Sequence, residues 1–355
     1  MSYYRSEEDI YNEMFLGYTA TSIGKESLLY NACMPVCIKL SEAYLALDEV
    51  TKQIFAKKAV ESGYSSFLDL RVEEMGIKRK ESTYALIEIT VNGTAKMIFP
   101  KDSIVGTSDN RLYITQSDLI LDDNGSGKVK VRAEKAGSKY NVTANEINYL
   151  PIKYSGIKSI TNEKAYFDAY DEETNESLYY RYSLKVQIPA TSGNKYHYQN
   201  WALEVDGVGS AKVYPLWNGN GTVKVVISSS NYRAASSDLI KTVADHIEEN
   251  RPIGPTVTVV SVEELPLIIS LKLIYDSVSY TLDTIKTNIQ NSISQYLKDV
   301  ALKTDHISIA KVGAIILSTS GVTDYSNLTI NGSTINLPIA DNQIAVLSGV
   351  VCNVT

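Results

Sequence analysis

The period of the hydrophobic pattern changes once along this chain, near residue 80. Between about 22 and 75, apolar side chains recur three and four residues apart. They are Leu28, Leu29, Ala32 and Val36, then Ile38, Ala43, Leu45, Leu47, Val50, Ile54, Phe55 and Ala59. That spacing belongs to amphipathic helices. Gly63 punctuates the stretch, and Ser65–Glu74 reads as a short helix stopped at Gly76. From about 82 the period falls to two, the signature of strands. One layer of secondary structure cannot satisfy both periods, so the chain must divide. Its 355 residues allow two to four domains at about 100–200 residues each. Helices this long, with little sequence beside them to cover them, imply that much of their apolar face is buried elsewhere, either within the subunit or against another chain.

Tyr84-Ala-Leu-Ile-Glu-Ile-Thr-Val91 alternates, Asn92-Gly93 is a hairpin signal, and Ala95–Phe99 would return. Arg111–Gln116 and Lys128–Glu134 are further strands, with a turn at Asp123–Gly127. Two α/β segments follow. The first has helices at Glu172–Leu184 and, after Thr191-Ser-Gly-Asn, at Lys195–Glu204. Its strands Ala211–Tyr214 and Val223–Ile227 are joined through Trp217-Asn-Gly-Asn-Gly221. Helix Ser237–Glu249 and strand Thr256–Val262 complete it. The second has strand Leu267–Tyr275, helices Leu282–Val300 and Ser308–Ser318, a hairpin around Asn331-Gly332, and strand Ile344–Cys352. The expected fold class is α+β multidomain. A helical arm (1–80) precedes a small all-β domain (81–158) and two C-terminal α/β domains (159–264 and 265–355) with open antiparallel or mixed sheets.

Catalytic side chains are scarce: three His and three Cys. His197, His246 and His306 do not converge in sequence, and no Ser occupies a Gly-x-Ser-x-Gly elbow. Cys33, Cys37 and Cys352 lack the paired spacing of a metal site, so no metal and no cofactor is expected. Trp217–Gly221 lacks the context of a phosphate loop and reads as a turn. The carboxylate pairs Glu172-Glu173 and Glu263-Glu264 read as solvated surface. A net charge of −7 gives no reason to bind nucleic acid or an anionic membrane. The apolar run Leu265–Tyr275 is too short to span a bilayer, and the N-terminus has no secretory pattern. Asn-x-Ser/Thr triplets such as Asn92-Gly-Thr and Asn331-Gly-Ser read as turns. The 25 Tyr suit contact surfaces. Lys78, Arg79 and Lys80 form a basic knot at the helix-to-strand junction, suited to gripping a partner's carboxylates.

Three segments carry a resemblance. The first is the junction Phe67-Leu-Asp-Leu-Arg-Val-Glu-Glu-Met-Gly-Ile-Lys-Arg-Lys-Glu81. The second runs from Ala136-Gly-Ser-Lys-Tyr-Asn-Val142 through Asp171–Leu178 and Arg181 to Gly193, Tyr198, Trp201, Val205-Asp-Gly-Val208, Val213-Tyr-Pro215, Gly219–Val223 and Arg251-Pro-Ile-Gly254. The third is Gly321–Leu328 with the Asn331-Gly332 hairpin and Gly349-Val350. In this order they resemble the baseplate J family, the wedge proteins of contractile phage tails and phage-tail-like bacteriocins (tailocins). The chain departs from the family at Asp168-Ala-Tyr170, where a Gly-Gly pair is frequent, and at Thr191-Ser192, keeping only Gly193.

The resemblance implies a structural protein, not an enzyme, assembled in the bacterial cytoplasm into a tail baseplate. It implies a wedge heterotrimer of two copies of this chain and one baseplate protein I-like subunit, with the N-terminal helices intertwined. The C-terminal domains would pair between neighbouring wedges, closing a ring of six around a central hub beside the sheath-initiating wedge protein. The ring would hold the baseplate and transmit its opening to sheath contraction. The expected contacts lie on the Ser41–Val60 helical face, at Leu45, Leu47, Ile54 and Phe55, with a grip from Lys78 and Arg79. The competing class is a carbohydrate-binding or carbohydrate-cleaving tail-tip module, which would need two carboxylates facing one cleft.

Overall fold

The computed structural model describes residues 2–17, 24–187 and 193–354. They form two compact units, one from the described residues of 1–80 together with 173–187, the other from 81–172 with the described residues beyond 188. The first unit is helical: α1 (Glu7–Met14), α2 (Leu28–Ile54), α3 (Ala56–Glu61), α4 (Ser65–Glu73) and α5 (Asn175–Gln187). The Ser27 hydroxyl caps α2 by accepting from the Tyr30 N–H at 3.1 Å. The helical stretch expected from about 22 is broken at Phe55, whose backbone is extended, and at Gly63 (φ +73°). Gly76, at φ +69°, follows α4 as the expected stop. Residues 22 and 23 lie outside the described residues. Helix α1 has no counterpart in the sequence reading. It buries Ile10 and Tyr11 against Met34 and Cys37 of α2, while Ala56, Ala59, Leu68, Val72, Ile77 and Leu178 join α3, α4 and α5.

Residues 81–172 form a near-barrel. Its strands are β1 (Leu86–Gly93), β2 (Ile98–Phe99), β3 (Ile104–Thr107), β4 (Leu112–Thr115), β5 (Leu119–Ile120), β6 (Ser126–Ala133), β7 (Ile147–Tyr149) and β8 (Ile157–Thr161). Six of them run in the order β7-β3-β4-β6-β1-β8, all antiparallel, and β2 pairs with β5 apart. The alternation reads through: Ile87, Ile89 and Val91 point inward with Val129 and Val131 opposite. Asn162, fully buried, ties the two ends of the sheet. Its Oδ1 accepts from the Ile147 N–H at 2.8 Å, and its Nδ2 donates to the Thr143 and Lys164 carbonyls.

Asn92-Gly93 is not a hairpin. Neither residue has the positive φ that such a turn requires; both lie in β1, paired with β6 and β8. The glycine serves a close approach instead: a Cβ on Gly93 would meet the Gly156 carbonyl oxygen at 2.3 Å. Gly93→Ala is expected to cost the barrel about 1–3 kcal/mol in a denaturant titration. A variant as stable as the native chain would contradict that approach.

Beyond the barrel lie α6 (Lys195–Glu204), β9 (Val208–Pro215), β10 (Thr222–Ser229), α7 (Ser237–Asn250) and β11 (Thr256–Ser261). Central β10 is antiparallel to β9, through the Trp217–Gly221 turn, and parallel to β11, through the α7 crossover. The last segment is β12 (Glu263–Tyr275), α8 (Leu282–Val300), β13 (His306–Ile307), α9 (Ile309–Ser318), β14 (Val322–Ile330), β15 (Leu337–Pro338) and β16 (Gln343–Val354). Here β12 is central, antiparallel to β14 and parallel to β16. Ile285, Ile289, Ile293 and Leu297 recur every fourth residue of α8 and share a core with Leu267, Ile269, Leu271 and Leu273 of β12. Both sheets are mixed, and the chain has the expected class. Asn331 and Gly332 do make a two-residue turn, at φ +50° and +78°. The returning arm carries a single bridge at Ser333, and β14 takes its ladder from β12. Thr191 and Ser192 lie outside the described residues.

One member of each carboxylate pair is not solvated surface. Glu173 is bound by Arg181, and Glu264 by Arg233 at 2.9 Å with the Ala234 N–H at 2.8 Å. Burial pushes the Glu264 carboxyl up, but Arg233 and that N–H outweigh it and hold it below its usual range. A lowered folded-state value means that the contribution is complete above about pH 4.3. It is lost as the pH falls through that lowered value. Glu264→Gln is expected to flatten the acid limb of the melting temperature against pH. An unchanged limb would mean that the pair contributes nothing.

Candidate interaction surface

Helix α2 is 27 residues long, about 40 Å, and buries only Met34, Cys37 and Ser41. Those three are spaced three and four apart; Met34 and Cys37 face α1, and the Ser41 hydroxyl donates to the Arg5 carbonyl just before it. On a second face, roughly a third of a turn away, stand Leu29, Cys33, Val36, Leu40, Ala43, Leu47, Val50 and Ile54. Their spacings, 4-3-4-3-4-3-4, repeat every seven residues without interruption. This is the spacing of a heptad seam, the pattern by which helices pack lengthwise on one another. None of the eight is buried; Leu47 and Ile54 are 48% and 56% exposed. Pro35 removes one helix hydrogen bond beside the seam but does not shift its register.

In heptad terms Cys33, Leu40, Leu47 and Ile54 are a positions and Leu29, Val36, Ala43 and Val50 are d positions. The flanking e and g positions are Tyr30, Cys37, Tyr44 and Thr51, and Ala32, Lys39, Ala46 and Gln53. Lys39 alone among them is charged, and it pairs with Glu42 at 2.7 Å. Like-charge repulsion therefore does not oppose the approach of a second copy.

The expected contact residues divide. Leu47 and Ile54 belong to the seam. Leu45 is half-exposed on the far side of α2 with Ile38, and Phe55 lies at the break before α3, 61% exposed. Lys78 is exposed. Arg79 is engaged inside its own chain. Its guanidinium donates to Asp69 at 2.7 Å, to the Glu173 carbonyl at 2.6 Å and to Asn175 Oδ1 at 2.8 Å, leaving it 12% exposed. Sequence reading passed over Leu40 and did not join Val36, Ala43 and Val50 into one face. The unbroken heptad spacing was the signal that could have joined them.

The histidines stay apart. His197 accepts from the Gly193 N–H at 3.1 Å, His246 meets Glu204 at 3.1 Å, and His306 meets its neighbour Asp305 at 2.7 Å. Among the described residues, no group of three or more His, Cys, Asp or Glu could hold a metal ion. No helix among them is long and apolar enough to cross a membrane.

Residues 88–168 match the Baseplate J-like protein barrel domain, 190–261 the Baseplate J-like central domain, and 268–353 the Baseplate J-like protein C-terminal domain. The Phage-like element PBSX protein XkdT of Bacillus subtilis (strain 168) is 32% identical over 331 residues, 91% of this chain and 90% of that protein. Baseplate protein gp47 of Escherichia phage Mu is 31% identical over 177 residues, 48% of this chain and 49% of its own length. A chain in the cryo-EM structure of the anti-feeding prophage (AFP) baseplate overlaps 96% of this chain and 89% of its own. It does so at 9% identity and a TM-score of 0.39, a likeness that carries no argument.

Proposed function

This chain belongs to the baseplate J-like family, and from that premise we propose that it is a structural component of a phage-type tail baseplate. Its work is association and not bond chemistry. Two copies join one baseplate protein I-like subunit in a wedge through a helical bundle built on the α2 seam. Neighbouring wedges, the sheath-initiating wedge protein and the hub are the further partners. The reading extends to phage tails and to DNA-free tailocin particles alike, where opening of the ring passes to the sheath.

The observation that carries the bundle is the seam itself: its six apolar side chains from Val36 to Ile54 are exposed in their own chain, while Leu29 and Cys33 are partly covered, Cys33 by the cluster shared with α1. Exposed apolar surface of that length marks a protein contact. Light scattering of the chain alone, and of the chain co-expressed with its protein I-like neighbour, tests this. More than one chain per particle is expected alone, and two to one in the complex. A monomer at high concentration with α2 fully protected from hydrogen exchange would refute the bundle.

A further inference from the structure

In the second unit, the strip 167–170 that leaves the barrel meets the loop 229–235 between β10 and α7. Asn231 Nδ2 donates to the carbonyls of Phe167, at 2.9 Å, and Ala169, at 3.0 Å. The barrel holds the same residue: Asn141 Nδ2 donates to the Ala169 carbonyl at 2.9 Å, and the Ala169 N–H donates to Asn141 Oδ1 at 3.0 Å. One buried residue is thus gripped from two domains. Next to it, the Tyr170 N–H donates to the Thr83 hydroxyl and the Thr83 N–H to the Tyr170 carbonyl, both at 2.9 Å. The Tyr170 ring lies over Gly207 of the middle domain, where a Cβ would meet it at 3.0 Å.

The loop's next two residues reach further. Tyr232 packs on the apolar cluster of Val226, Val262, Ala301 and Ile344, which spans both sheet domains. Its backbone is left-handed, at φ +55°. A non-glycine residue keeps that conformation only where its surroundings over-determine it. The Arg233 guanidinium stands 4.7 Å from the centre of the Phe167 ring and holds Glu264 through two hydrogen bonds, at 3.2 and 2.9 Å.

Three consecutive residues therefore hold, in turn, the barrel, the C-terminal domain, and both together. We propose that Asn231, Tyr232 and Arg233 lock the barrel and the two sheet domains into one rigid mechanical body. A rigid body passes a rotation applied at one end to the other, whereas hinged domains absorb it. The lock does not depend on how α2 associates.

Energy transfer between fluorophores on non-natural residues at Lys130, in the barrel, and Lys298, on α8, tests it in the full chain. The native protein is expected to give one narrow distance distribution. In Asn231→Ala/Arg233→Ala the distribution should broaden. Amide exchange over 165–171 should quicken roughly tenfold while β1, β10 and β12 keep their protection. Arg233→Lys, which keeps the charge and loses the fork, should fall between. A broad distribution in the native chain, or a double variant as narrow and protected as the native chain, would overturn the lock.

Discussion

Replacing Leu40 and Leu47 together by Glu is expected to abolish association of the chain through α2 while leaving both units folded. Both side chains are exposed in the single chain, so their replacement leaves its cores untouched. In a bundle the exposed part of each leucine, 42% and 48%, would be buried, worth about half of a whole side chain, or about 0.7–1.5 kcal/mol. Losing two removes about 1.4–3 kcal/mol per copy, a factor of about ten to a hundred in the association constant. The new carboxylates add their own cost at a dry seam and repel one another between copies. Sedimentation equilibrium with circular dichroism reads both halves of the expectation. Unchanged association with unchanged helicity would remove the seam from the interface. Leu45→Glu is the control, because Leu45 lies on the far side of α2 and is expected to leave association nearly intact.

Arg181→Ala is the second large effect, and it acts on stability. Arg181 and Glu173 have side chains only 11% and 5% exposed. The guanidinium grips both carboxylate oxygens, at 2.7 and 2.5 Å, and donates to the Lys78 carbonyl at 2.6 Å. The carboxylate also accepts from the Lys80 N–H and the Ser177 hydroxyl. Together with Arg79, this clasp fastens the helical unit where its chain leaves at Lys80 and returns at Glu173. Removing the arginine leaves a buried carboxylate without its cation, which costs about 3–5 kcal/mol. Thermal melts and exchange over α3, α4 and α5 should show the loss. A variant within about 0.5 kcal/mol of the native chain, the range of an ordinary surface change, would contradict the clasp.

What was legible in the sequence follows from the range over which each signal acts. Helix α8 ends where its period and caps end, Leu282–Val300, and α6 begins at its Asn194 cap, because these signals are local. Asn92-Gly93 misled because one dipeptide serves two ends, a turn with positive φ or a strand where backbones crowd. Only the neighbour at Gly156 decides between them. Part of what engages Glu173 and Arg79 was hidden because it joins distant segments: Arg79 donates to the Glu173 carbonyl, 94 residues on, and the Lys80 N–H donates to the Glu173 carboxylate, 93 residues on. The Tyr surplus suits interiors as well as contact surfaces, and many of these residues serve the chain's own cores: Tyr113 is wholly buried with its hydroxyl on the Tyr140 carbonyl, and Tyr214 packs at a core edge with its hydroxyl on the Asp341 carbonyl. The seam was legible in full, since a heptad needs only counting. What covers it is not written in one chain.

The most direct test of the account is a cryo-EM map of the particle that contains this chain. It is expected to show two copies per wedge in a six-fold ring, with residues 29–54 of each packed lengthwise against at least two other helices. A map in which the α2 seam faces solvent, or in which the chain stands outside the baseplate, would contradict it.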